Sequence, residues 1–101
     1  MFVADDVSTQ HVRTLDMVKK AIEDSDRLTN GQKRRLTRRL NRPWVATRVT
    51  DEITSRAMSV GLVVVDQDTD GDVHTLVDWD GLIEFIERLL PLIVQLIGLF
   101  G

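Results

Sequence analysis

The chain has 101 residues, of which 43 % are hydrophobic and 29 % charged, a globular composition sized for one domain with one modest core. It contains no cysteine, which excludes disulfides, thiol catalysis and cysteine-ligated zinc and fits a reducing, cytoplasmic setting. The formal net charge of −3 is unevenly spread: residues 1–57 hold twelve Lys/Arg against eight Asp/Glu (+4), and residues 58–101 hold one against eight (−7). This division suits a polyanionic partner for the first half, or head-to-tail attraction between copies.

The N-terminus, Met1-Phe2-Val3-Ala4-Asp5-Asp6, has no basic segment followed by an apolar run, so no signal peptide is expected. Residues 1–7 read as a loose lead-in. Ser8 or Thr9 can cap a first helix over residues 9–24, in which Val12, Leu15, Val18 and Ile22 recur at helical spacing. Thr29 and Gln32 have capping-box spacing and open a second helix from Asn30 to Leu40, stopped by Pro43. Its apolar side is thin, with only Leu36 and Leu40. Lys33, Arg34, Arg35, Arg38, Arg39 and Arg42 supply six of the thirteen basic residues within ten positions. Arginine pairs phosphate bidentately, so this segment is the candidate nucleic-acid contact. No aromatic is interleaved, so single-strand stacking is not suggested.

Trp44 to Val49 reads as a short helix anchored by Trp44 and Val45. Thr50 is then expected to cap a separate helix, with Asp51 and Glu52 favoured at its positive end and Ile53, Ala57 and Val60 on its inner stripe. Gly61 is the natural left-handed stop, followed by apolar Leu62. From there the period becomes alternating. Asp70-Gly71 predicts a two-residue hairpin turn that would pair Asp66 with Thr75, Val64 with Val77 and Leu62 with Trp79. The octapeptide Asp66-Gln67-Asp68-Thr69-Asp70-Gly71-Asp72-Val73 resembles the opening of EF-hand and dockerin calcium loops. That resemblance implies calcium ligation by Asp66, Asp68, Asp70 and Asp72; Val77 stands where the family places its closing bidentate acid.

Asp80 can cap the last helix, Gly81 to Phe100. Its apolar positions form two neighbouring seams. Leu82, Phe85, Leu89, Leu92 and Leu96 are expected to face the chain's own core. Ile83, Ile86, Leu90, Ile93, Ile97 and Phe100 would then be left for a partner, through homo-oligomerisation, docking into a larger assembly, or contact with a membrane surface. Charged Glu84, Glu87 and Arg88 make the run too short to span a bilayer, and Pro91 is expected to kink or split the helix.

Residues 44–78, in which a Thr50-capped helix ends in Ser59-Val60-Gly61-Leu62-Val63 and leads into an Asp-Gly-tipped hairpin, resemble a winged helix-turn-helix. The resemblance implies that the helix at 51–60 enters a DNA groove, with two acids at its entering end. The expected fold is thus mainly α with one β-hairpin (α+β). It comprises a winged-helix-like unit over residues 1–80, with its hairpin at 62–79, followed by a C-terminal oligomerisation or docking helix over 81–101. Ser8, Ser25, Ser55 and Ser59 lie neither in a glycine elbow nor beside a histidine, and no nucleophile–base–orienter set can be assembled. The expectation is a non-enzymatic, homo-oligomeric binding protein.

Overall fold

The computed structural model describes residues 2–100. In chain order they form β1 (Val3–Asp5), α1 (Val7–Asp24), α2 (Asn30–Leu40), α3 (Pro43–Ser59), β2 (Val63–Gln67), β3 (Val73–Val77) and α4 (Trp79–Phe100). The chain is mainly helical, with a helix-turn-helix-like bundle followed by a hairpin, a topology consistent with a winged helix but not diagnostic of one.

The supposed lead-in contributes a strand. β1 pairs antiparallel with β3, Val3 opposite Val77 and Asp5 opposite Thr75, so the sheet order is β1-β3-β2. Three residues carry no readable period; their hydrogen-bonding partner arrives from some seventy positions downstream. The ion pair between Arg13 Nη1 and Asp5 Oδ2, 3.3 Å, fastens β1 to α1. Asp6, not Ser8 or Thr9, caps α1: its carboxylate accepts from the Thr9 N–H at 2.7 Å. That bond holds the Asp6 carboxyl below its ordinary value.

The buried side of α1 is also rotated from expectation. Val18 and Ile22 are fully buried, but Val12 is 56 % exposed, and Gln10 and Thr14 take the inner positions. Gln10 faces α3, its Nε2 donating to Thr54 Oγ1 at 3.0 Å. Thr50 Oγ1 lies 2.9 Å from His11 Nδ1 and donates to the Ala46 carbonyl at 2.8 Å. Thr50 is therefore not a cap. Pro43 occupies the first turn of one uninterrupted α3, where its fixed φ suits helix entry and its missing N–H costs nothing. A threonine inside a helix satisfies its hydroxyl on the carbonyl four residues back.

The α2 capping box forms as expected: Gln32 N–H donates to Thr29 Oγ1, and Thr29 N–H to Gln32 Oε1. Gly61, at φ 80°, ends α3 in a Schellman motif, with the Leu62 N–H on the Ala57 carbonyl and the Gly61 N–H on the Met58 carbonyl.

The hairpin lies where expected but one residue out of register: Val63 pairs with Val77, and Val65 with Thr75. Gly71 has φ 86° and no non-glycine residue among those described has positive φ, so Asp70 does not enter the conformation a two-residue turn requires. Asp68 and Asp72 instead close a three-residue loop, with the Asp68 N–H on the Asp72 carbonyl. The slip exchanges the faces of the strand partners.

At the start of α4, Asp78 rather than Asp80 takes the capping role: its Oδ1 accepts from the Gly81 N–H at 3.1 Å. Pro91 lies inside the helix without splitting it. The inner side of α4 draws on both seams: Leu82 is buried and Phe85 and Leu89 pack against the core as expected, but Ile86, Ile93 and Ile97, expected to be left for a partner, are buried too. Leu82, Ile86, Ile93 and Ile97 are buried to within 1 %, and they join Val18, Ile22, Leu40, Val49 and Ile53 in a single core. Leu90 and Phe100 pack against that core as partly buried neighbours, whereas Ile83 is 44 % exposed.

A β-carbon at Gly81 would lie 2.7 Å from Leu62 Cδ2 and 2.8 Å from Asp78 Oδ2. Gly81→Ala should therefore disturb both the cap and its apolar cover. The expected loss is about 1–3 kcal/mol in chemical denaturation, whereas Gly31→Ala, where a β-carbon meets nothing closer than 3.9 Å, should cost no stability.

Candidate nucleic-acid interface

Helix α2 presents its cations away from the core because its two leucines take the inner side. Leu36 and Leu40 are buried, and at about 100° per residue Arg34, Arg35, Arg38 and Arg39 occupy an arc of roughly 140° turned away from them. Arg34, Arg35, Arg38 and Arg42 are exposed, and Lys33 and Arg39 half-buried. Lys33 is engaged locally, donating from Nζ to the Glu23 carbonyl at 2.7 Å and so closing the end of α1. Arg39 reaches toward the last turn of α4, its Nη1 4.0 Å from where a β-carbon on Gly98 would stand. Glu23 and Asp24 border Lys33 and Arg34 around a shallow depression of 690 Å³. Among the described residues, none of these six basic side chains forms an ion pair; the pairs are Arg13–Asp5, Arg56–Glu52 and His74–Asp68.

Two connector residues, Asn41 and Arg42, join α2 to α3, and Lys19 Nζ donates to Asn41 Oδ1 at 3.1 Å, bringing a further cation beside the turn. Because α3 begins at Pro43, its first turns carry exposed Trp44, Thr47 and Arg48 on one stripe with Asp51 and Ser55 below. Of the two expected anchors, Val45 is buried, with Ala46 beside it, but Trp44 is 53 % exposed. Sequence reasoning missed Trp44 and Arg48 as surface partners of the arginine segment. The signal was present in Arg42-Pro43-Trp44, since proline at the first helical position starts a helix there. The two acids expected at the entering end stand in mid-helix, Glu52 paired with Arg56 at 3.0 Å.

The tip of the hairpin that follows α3 in the chain is acidic and internally bonded. Asp68 Oδ1 accepts from the Asp70 and Asp72 N–H groups, both at 2.9 Å, while Asp68 Oδ2 meets His74 Nε2 at 3.0 Å. His74 chiefly, with the two backbone donors, holds the Asp68 carboxyl below its ordinary value. Asp66, Asp68, Asp70 and Asp72 do not converge as calcium ligands would: among the described residues no three His, Asp or Glu are grouped to hold a metal ion. Asp68 turns its oxygens to the loop's own N–H groups and His74.

A second concave feature is an open groove of about 1060 Å³ between the end of α1 and the middle of α4, lined by Leu28, Leu90, Pro91 and Val94 with Asp24, Arg27, Glu87 and Arg88. It shares no residue with the arginine arc. No helix among the described residues is long and apolar enough to cross a membrane. No protein-family model, curated protein or solved structure matches the chain.

A carboxyl whose folded pKa is depressed contributes stability above the ordinary carboxylate value and loses it as pH falls through the folded one. Asp68→Asn should therefore shrink the acid-side loss of stability, read as the fall in melting temperature below about pH 4; an unchanged acid limb would show that the Asp68–His74 contact is not formed in solution.

Proposed function

We propose that the protein is a non-enzymatic nucleic-acid-binding protein that grips the phosphate backbone with the arginine face of α2 and the turn into α3. The observation that carries this reading is the lack of internal neutralisation. The acidic half of the chain could have covered the basic half, yet Arg34, Arg35, Arg38 and Arg42 are exposed and form no ion pair among the described residues. Exposed guanidinium groups that no carboxylate occupies are available to phosphate oxygens, and each phosphate they neutralise releases condensed counterions.

The test is salt dependence. Binding to a nucleic acid should weaken steeply with salt, with a log–log slope of about −0.7 to −0.9 for each phosphate neutralised. Replacing Arg34, Arg35, Arg38 and Arg42 by Gln should flatten the slope by roughly 0.7–0.9 for each phosphate that is no longer neutralised. Absence of binding at low salt would end this reading.

A second reading, self-association, is favoured by the apolar stripe of α4 that runs beside its buried seam and is only partly covered. Phe85, Leu89, Leu92, Leu96 and Leu99 follow one another at spacings of four and three, the pattern of a coiled-coil stripe. All of the first four are half-buried, Phe85 and Leu89 packing against the core, and Leu99 is 78 % exposed. Leu92→Glu should lower the mass seen by light scattering at micromolar concentration while leaving the helical signal intact. Ile93→Ala, one residue away, should instead cost about 2–5 kcal/mol of stability because it opens a cavity in the core. A wild-type monomer at micromolar concentration would sink self-association.

A further inference from the structure

Two features surrounding the arginine face point to the kind of nucleic acid it takes. The first is Trp44. A large apolar ring 53 % exposed costs free energy in water unless a ligand covers it. It stands one residue after the proline that opens α3, between Arg42 and Arg48, both exposed. Cations that track a backbone beside an aromatic that can take a base on its face are the two components of single-strand recognition. The cation run contains no aromatic; the α2–α3 turn brings one to its end.

The second feature is the charge along α3. The helix is 17 residues long, about 25 Å. Arg42 and Arg48 lie at its first end, Asp51 and Glu52 in the middle, and beyond its last residue the chain enters the hairpin with Asp66, Asp68, Asp70 and Asp72 at its tip. A duplex laid along α3 would meet phosphates on both groove walls, and Asp51, exposed on the same stripe as Trp44 and Arg48, would face them. A hairpin gripping the same duplex would bring four more carboxylates to its backbone. Like charges so placed repel. A single strand needs only the basic end, because its one backbone follows a narrow track and its unpaired bases are free to stack.

We infer that Trp44 is a base-stacking residue and that the ligand is single-stranded nucleic acid, held across Arg35, Arg38, Arg42 and Arg48 at the α2–α3 turn. The inference rests on the phosphate-binding reading above and narrows it to one strand state.

The test compares an oligothymidylate of about 20 nucleotides with a blunt duplex of the same length at low salt, using the full chain. The protein has two tryptophans. Trp79 is only 6 % exposed and lies under Arg13, whose guanidinium is 4.0 Å from the ring centroid, so quenching of fluorescence by the oligonucleotide reports Trp44. The wild type should prefer the single strand, and its fluorescence should fall on binding. Trp44→Ala should weaken single-strand binding by about tenfold or more with the salt slope retained; Trp44→Phe, which keeps a stacking ring, should restore most of the affinity while abolishing the quenching. Circular dichroism of each variant checks that the fold is kept. Equal affinity of wild type and Trp44→Ala for the single strand, or tighter binding of the duplex, would overturn the stacking role while leaving the phosphate contacts standing. Binding of neither nucleic acid would overturn both.

Discussion

The buried seam of α4, Leu82, Ile86, Ile93 and Ile97, is the surface on which the other three helices meet. Each of those helices has a limited inner face: Val18 and Ile22 on α1, Leu36 and Leu40 on α2, Val45, Val49, Ile53 and Ala57 on α3. None could form a core alone, and together with α4 they form one continuous cluster. Burying four large aliphatic side chains is worth roughly 6–12 kcal/mol as an upper estimate, comparable with the net stability of a whole domain of this size. The last helix is therefore part of the fold before it is anything else.

A polar seam complements this apolar one. Between the N-terminal halves of α1 and α3 the buried groups are Gln10, Thr14 and Thr50, paired through Gln10 to Thr54 and Thr50 to His11. Thr14 Oγ1 is buried without a protein partner. Apolar residues slide past one another with little penalty, whereas a misplaced Gln10 or Thr50 would lose a partly buried hydrogen bond. The seam thus sets the register of α1 on α3. By aligning α3, it also determines which of that helix's residues are turned to water beside the arginines of α2.

Charge is divided along the chain around α3. Arg42 and Arg48 stand at its first end, and the hairpin that follows it carries Asp66, Asp68, Asp70 and Asp72. Asp68 turns its own charge to the loop's backbone donors and His74.

Features decided within a few neighbouring residues were legible in the sequence. The Thr29–Gln32 capping box, the left-handed stop at Gly61, the location of the hairpin and the cation-rich face of α2 all depend on local hydrogen bonds, local φ values or residue type alone. Features that depend on distant partners were not. β1 exists only because β3 offers it a free edge. The hairpin register turned on whether Asp70 would accept positive φ, and a three-residue loop spared it that strain. Two adjacent seams of α4 were equally apolar, so which of their positions face inward was settled by the shape of the surface formed by α1, α2 and α3. Trp44 points outward for the same reason: once Pro43 starts a single helix through Thr50, Val45, Ala46 and Val49 claim the inner side, and the tryptophan between them and the arginines has only the solvent face left.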